Sequence, residues 1–149
     1  LAQGSVILPG NWGRLIRAYG WQHALALREM ALEDTRRSRF PHRPSRLDSA
    51  FVFLSIAEAQ DFRSQNGGFL KHILYRVTLC EPDAACHIAD TRLCGPHGLT
   101  RPDWADAYWM DLESQASAIP EIDWIAFTNG TPQREMLTLS KLLVEERLD

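Results

Sequence analysis

The sequence predicts an α+β fold, because short apolar segments of strand length are interleaved with a few helical patterns and separated by Gly, Pro and Asn turn formers. At 149 residues, 45% hydrophobic and 23% charged, the chain has the size and composition of one globular domain with a single core. Residues 5–8 are a short apolar strand, and PGNWG at 9–13 is dense enough in turn formers to predict a loop. Residues 20–38 place Leu25, Leu27, Met30, Ala31 and Leu32 among charged residues at helical spacing, and the helix must end before Pro41. Residues 50–54 (AFVFL) suit a strand covered on both faces. Ser55 and Glu58 then form the S-x-x-E box that opens a helix through about Arg63, closed by Asn66-Gly67-Gly68.

Residues 72–79 (HILYRVTL) alternate as a strand, with Ile73, Tyr75, Val77 and Leu79 on one face. A loop is expected over 81–98, followed by a helix that begins near Thr100 and Asp103 and contains Trp104, Tyr108, Trp109 and Leu112. A strand at 122–127, a turn at 129–132 and an extended segment over 135–146 complete the chain, with a helix over LSKLLVEERL as the alternative for the last part.

Charge is divided unevenly. Residues 1–75 carry ten Lys/Arg against six Asp/Glu, and residues 76–149 carry six against thirteen. Six basic side chains, Arg36, Arg37, Arg39, His42, Arg43 and Arg46, lie within eleven positions interrupted by two prolines, which puts much of this charge on a loop leading into AFVFL. Guanidinium groups on such a loop suit phosphate or carboxylate, although charge runs are more often solvated turns. Phosphate-loop and dinucleotide fingerprints are absent, as are zinc-finger and homeodomain patterns. No apolar run reaches the length of a membrane helix and no secretory leader opens the chain, so a cytoplasmic protein without a membrane partner is expected, with delivery into another cell left open.

Cys80, Cys86, His87, Cys94 and His97 are the zinc-type ligands, but their spacing lacks paired C-x2-C hooks and no metal is assigned to them. A zinc-binding interaction domain is kept only as an alternative.

Several blocks together carry a resemblance: SVILPGNWGR, FPHRPSRLDSAFVFLSIAEAQDF, ILYRV, HIADTRL and AYW. They are similar to an uncharacterised bacterial domain family placed in the ADP-ribosyltransferase superfamily. QREML resembles the Q-x-E-x-L motif of DNA-targeting ADP-ribosyltransferase toxins, with Glu135 at the position of the catalytic glutamate. The resemblance implies a split, mostly antiparallel sheet around a nucleotide cleft, and NAD as donor substrate. The acceptor is an unidentified protein or nucleic acid, and a toxin role would bring an antitoxin or immunity partner. It also implies that Arg46 contacts the NAD phosphates or ribose, that Ser49 holds the strand end or the ligand, and that Arg14 is a weaker contact for the same anion. Phe53, where a tyrosine is usual, would cover the nicotinamide ring. Asp90, in HIAD, is the competing acid because the rifampicin ADP-ribosyltransferases carry their aspartate in that region. Tyr108 and Trp109 read as helix packing. A first strand with a histidine or arginine is expected ahead of Leu1. Its lack, with phenylalanine in place of tyrosine, favours the alternative of a catalytically inactive binding module.

Overall fold

The computed structural model describes residues 1–22, 24–65, 72–94, 102–118 and 133–149. The chain runs β1 (Val6–Ile7), α1 (Asn11–Tyr19), a 3-10 turn (Gly20–Gln22), α2 (Ala26–Arg39), β2 (Ala50–Phe53) and α3 (Ile56–Gln65). It continues through β3 (Tyr75–Leu79), β4 (Cys86–Asp90), a second 3-10 turn (Thr91–Cys94), α4 (Trp104–Trp109), α5 (Leu112–Ala118), β5 (Arg134–Thr138) and β6 (Leu142–Arg147). The fold is α+β, and the described residues form two three-stranded antiparallel sheets in the orders β1-β6-β3 and β2-β5-β4. The expected strand at 122–127, the turns at 66–68 and 129–132, Thr100 and His97 lie outside the described residues.

Four expectations need correction. PGNWG is not a loop: Gly10 adopts a left-handed φ of 82° immediately before α1, and Asn11, Trp12 and Gly13 form its first turn. Gly13 has a packing role, since a Cβ there would stand 1.9 Å from the Leu47 carbonyl oxygen. The turn formers therefore serve a helix start and a backbone contact with the arginine loop. Gly13→Ala is expected to destabilise the fold by about 1–3 kcal/mol through this overlap, measured as a shifted denaturation midpoint. An unchanged midpoint would show that α1 moves freely off the loop.

Residues 81–98 are likewise not one loop, because CHIAD forms β4. Its buried His87 and Ala89 pair with Leu137 and Glu135 of β5, so pairing to a central strand overrides a sequence of weak strand propensity. The helix of 20–38 begins only at Ala26, after the 3-10 turn. At the C-terminus residues 142–147 are extended rather than helical, with Leu142 and Val144 buried and β6 paired on both edges. The single extended segment expected over 135–146 is nevertheless two strands, β5 and β6, which the break at 139–141 sends into different sheets.

The Ser55 box is formed. The Ser55 hydroxyl accepts the Glu58 amide at 3.2 Å and donates to the Glu58 carboxylate at 2.8 Å.

The core lies between the β2-β5-β4 sheet and helices α2 and α4, where Leu32, Ala89, Leu93, Ala107, Tyr108, Trp109 and Leu137 are fully buried. Trp109 closes it, its indole N–H donating to the Leu32 carbonyl at 2.8 Å. The two sheets are joined where β3 passes into β4 and β5 passes into β6, and these crossings are bonded to each other. The Cys80 amide donates to the Lys141 carbonyl at 2.9 Å and the Leu139 amide to the Ala85 carbonyl at 3.1 Å, and Glu81 accepts the Ser140 hydroxyl at 3.0 Å. Away from this clasp, a cavity of about 400 Å³ lies between the sheets, lined by Ile7, Phe51, Phe53, Leu74, Tyr75 and Val77 among others.

Candidate functional site

Antiparallel register decides which candidate residues meet. Phe53 on β2, Glu135 on β5 and Ala89 on β4 are direct cross-strand partners, so their side chains share the sheet face covered by α2 and α4. Glu135 stands on the central strand, held by a ladder on each side. It lies three residues before Thr138, where β5 runs into the clasp.

Arg46 reaches this face from the loop between α2 and β2. Its Nη1 donates to both Glu135 Oε1 and the Tyr108 hydroxyl, and its Nε donates to Glu29 Oε2 at 2.9 Å. The guanidinium lies 4.9 Å from the centre of the Phe51 ring and 5.0 Å from that of Tyr108. Tyr108 itself donates to Glu135 Oε1 at 2.7 Å. Behind Arg46, Arg28 donates to Glu29 Oε1 at 2.7 Å. Two carboxylates and two guanidiniums thus form a charge-balanced chain beneath the sheet. Arg46 keeps only 6% of its surface exposed, and no hydrogen bond among the described residues occupies Glu135 Oε2.

Burial works against the charges of Glu29 and Arg46, and the pairing outweighs it. The Glu29 carboxyl is desolvated, but Arg46 and Arg28 hold its pKa below the usual carboxylate value. Arg46 is likewise desolvated, yet the field of Glu135, supplemented by Glu29, raises its pKa well above the ordinary arginine value. Burial pushes Tyr108 well above the usual tyrosine range and Cys94 up to about 12, so both are neutral at neutral pH and Tyr108 is a hydroxyl donor. His87 is lowered to about 4, chiefly by burial, and its Nε2 faces the Tyr108 carbonyl at 2.8 Å. A carbonyl only accepts, which fixes the proton on Nε2.

The other expected residues are placed differently. Asp90 ends β4 on the opposite sheet face, paired in register with Arg134. Its carboxylate is closed by Arg92, whose backbone N–H donates at 3.0 Å and Nε at 2.7 Å. Ser49 is buried and donates to the Ser45 carbonyl at 2.7 Å, so it holds the start of β2. Arg14 is exposed on α1, where it donates to Asn11 Oδ1 at 3.3 Å and takes no part in the cluster. Phe53 is half-buried, with the Phe62 ring 5.0 Å away. Of the zinc-type residues, Cys80 and Cys86 are exposed and Cys94 is buried, and among the described residues no three metal-ligating side chains gather.

Glu29 and Tyr108 belong to the site although neither was expected there. An acid in an amphipathic helix reads as a surface residue, and no sequence signal marks Glu29 as buried. Tyr108 had a signal in AYW, but helix packing was the more economical reading, and Trp109 does satisfy it. No protein-family model matches the chain, and no curated protein matches it.

Proposed function

We propose that this protein is an ADP-ribosyltransferase that moves ADP-ribose from NAD to a macromolecular acceptor, with Glu135 as its catalytic acid. The observation that carries the reading is the meeting of Arg46 and Glu135. They come from the RPSRLDS and QREML blocks, 89 residues apart, and they close on one another beside Phe53. When the bond between nicotinamide and ribose breaks, its electron pair leaves with nicotinamide and positive charge develops on the ribose. A carboxylate hydrogen-bonded to a ribose hydroxyl stabilises that charge as it forms. Glu135 is arranged for this: Arg46 and Tyr108 saturate Oε1 and orient the group, leaving Oε2 to accept the hydroxyl. The acceptor nucleophile then bonds to the ribose carbon and loses its proton. Asp90, locked to Arg92 on the other face, is the weaker choice.

One change from the sequence expectation follows. Arg46 is enclosed by Glu29, Glu135 and Tyr108, so its role is to position Glu135 rather than to contact phosphate. The same enclosure favours a second reading, a non-catalytic module that keeps the cluster for rigidity and binds a nucleotide or protein without turnover.

Labelled NAD incubated with cell lysate distinguishes the two. Wild type is expected to transfer label or hydrolyse NAD, and Glu135→Gln, which keeps the shape of the side chain, is expected to lose about 100-fold to 1000-fold in rate. NAD binding without either reaction in wild type would establish the binding module. Equal rates in wild type and Glu135→Gln would remove Glu135 from the mechanism.

A further inference from the structure

The arginines around the cluster are nearly all matched to acids. Arg28 pairs with Glu29, Arg36 and Arg37 with Glu33, Arg39 with Asp106, and Arg46 with Glu29 and Glu135. Arg43 is the exception. Its backbone is fixed at both ends, the amide donating to the Phe40 carbonyl at 2.9 Å and the carbonyl accepting from Arg36 Nη1 at 3.0 Å. Its side chain has no carboxylate partner among the described residues, and its Nε is buried with no hydrogen-bond partner. A buried N–H left unpaired is costly, and an ion or water bound there is one of the few things that accounts for it in a native protein.

The surroundings also suit an anion. Arg43 lies near enough to His87 for its positive charge to help keep that imidazole neutral. Asp106 leaves Oδ1 without a donor, but its other oxygen is held by Arg39 at 2.5 Å and no bond joins it to Arg43. Glu33, the acid next along α2, is occupied by Arg36, Arg37 and the Ser45 hydroxyl. Arg46, three residues on, is fully engaged. Among the described residues the Arg43 charge, with its fork of N–H donors, therefore meets no internal acceptor.

We infer that Arg43 is an oxyanion-binding residue, holding a phosphate group against the loop between α2 and β2. Two sources share that chemistry: the diphosphate of a dinucleotide such as NAD, and free inorganic phosphate or pyrophosphate. The inference does not depend on transfer activity.

Calorimetric titration of the full chain with pyrophosphate, phosphate and NAD tests it. Wild type is expected to bind at least one of the three. Arg43→Gln should weaken that binding about tenfold or more, the loss of one charge-assisted pair, while Arg43→Lys should fall between. Arg37→Gln, which removes an exposed positive charge from the end of α2, should leave it unchanged. Weakening of NAD together with pyrophosphate assigns the site to the dinucleotide; weakening of the inorganic anions alone assigns it to free phosphate. Matching circular dichroism spectra and denaturation midpoints confirm that the variants are folded. The inference is overturned if wild type binds none of the three, or if Arg37→Gln weakens binding as much as Arg43→Gln. Pyrophosphate binding that depends on Arg43, in a protein inert toward NAD, would sink the transferase proposal and leave this one standing.

Discussion

Arg46→Ala is expected to destabilise the protein by about 3–5 kcal/mol, because it leaves Glu29 and Glu135 facing each other without the cation between them. Glu29 is the more affected, being 1% exposed with only Arg28 left to compensate its charge. Urea denaturation of the variant measures the loss, and a change below about 1 kcal/mol would mean that water already reaches the cluster. The converse substitution separates structure from function. Replacing Arg28, Glu29, Arg46 and Glu135 together with Met, Leu, Met and Leu removes all four charges and should leave the fold within a few kcal/mol of wild type, since buried ion clusters often stabilise no better than apolar packing. If the quadruple variant folds and has lost NAD chemistry, the charges are retained for reactivity. If wild type has no such chemistry, they are retained for rigidity alone.

Trp109→Ala should have an effect of the same size, about 3–5 kcal/mol, through a different mechanism. Trp109 is completely buried. Its ring is stacked at 5.2 Å on His87 and set edge-on at 4.9 Å to Tyr108, and its N–H holds the Leu32 carbonyl. Truncation leaves a cavity where α2, α4 and β4 meet, and it removes the ring that packs edge-on against Tyr108. Leu27→Ala on α2, at a residue 78% exposed, should stay within about 0.5 kcal/mol and serves as the comparison. Thermal or urea midpoints of the two variants check both values, and equal shifts would contradict the core described here.

Elements that declare themselves locally were legible in the sequence. AFVF, the Ser55 box and YRVTL carry their own alternation or caps, although the last of these strands begins at Tyr75 and not at His72. What escaped was set by distant partners. CHIAD becomes a strand because β5 offers it an edge, and PGNWG becomes a helix start because Leu47 packs against Gly13. The site followed the same division. Arg46 and Glu135 stood out because each lies in a recognisable block, whereas Glu29 has no local mark and is buried only because two arginines enclose it. Asp90 illustrates the limit of reading acids from sequence, since a one-residue step along β4 puts it on the opposite face from Ala89 and Glu135.

The bonded crossings at 80–85 and 139–141 tie the two sheets together at one end. At the other end Arg63, on the helix that follows β2, donates to the His72 carbonyl at 3.0 Å and pairs with Asp149 just beyond β6. The gap lined by Phe53 and Tyr75 is therefore framed like a drawer between two rails, its width set at both ends by bonds between distant parts of the chain.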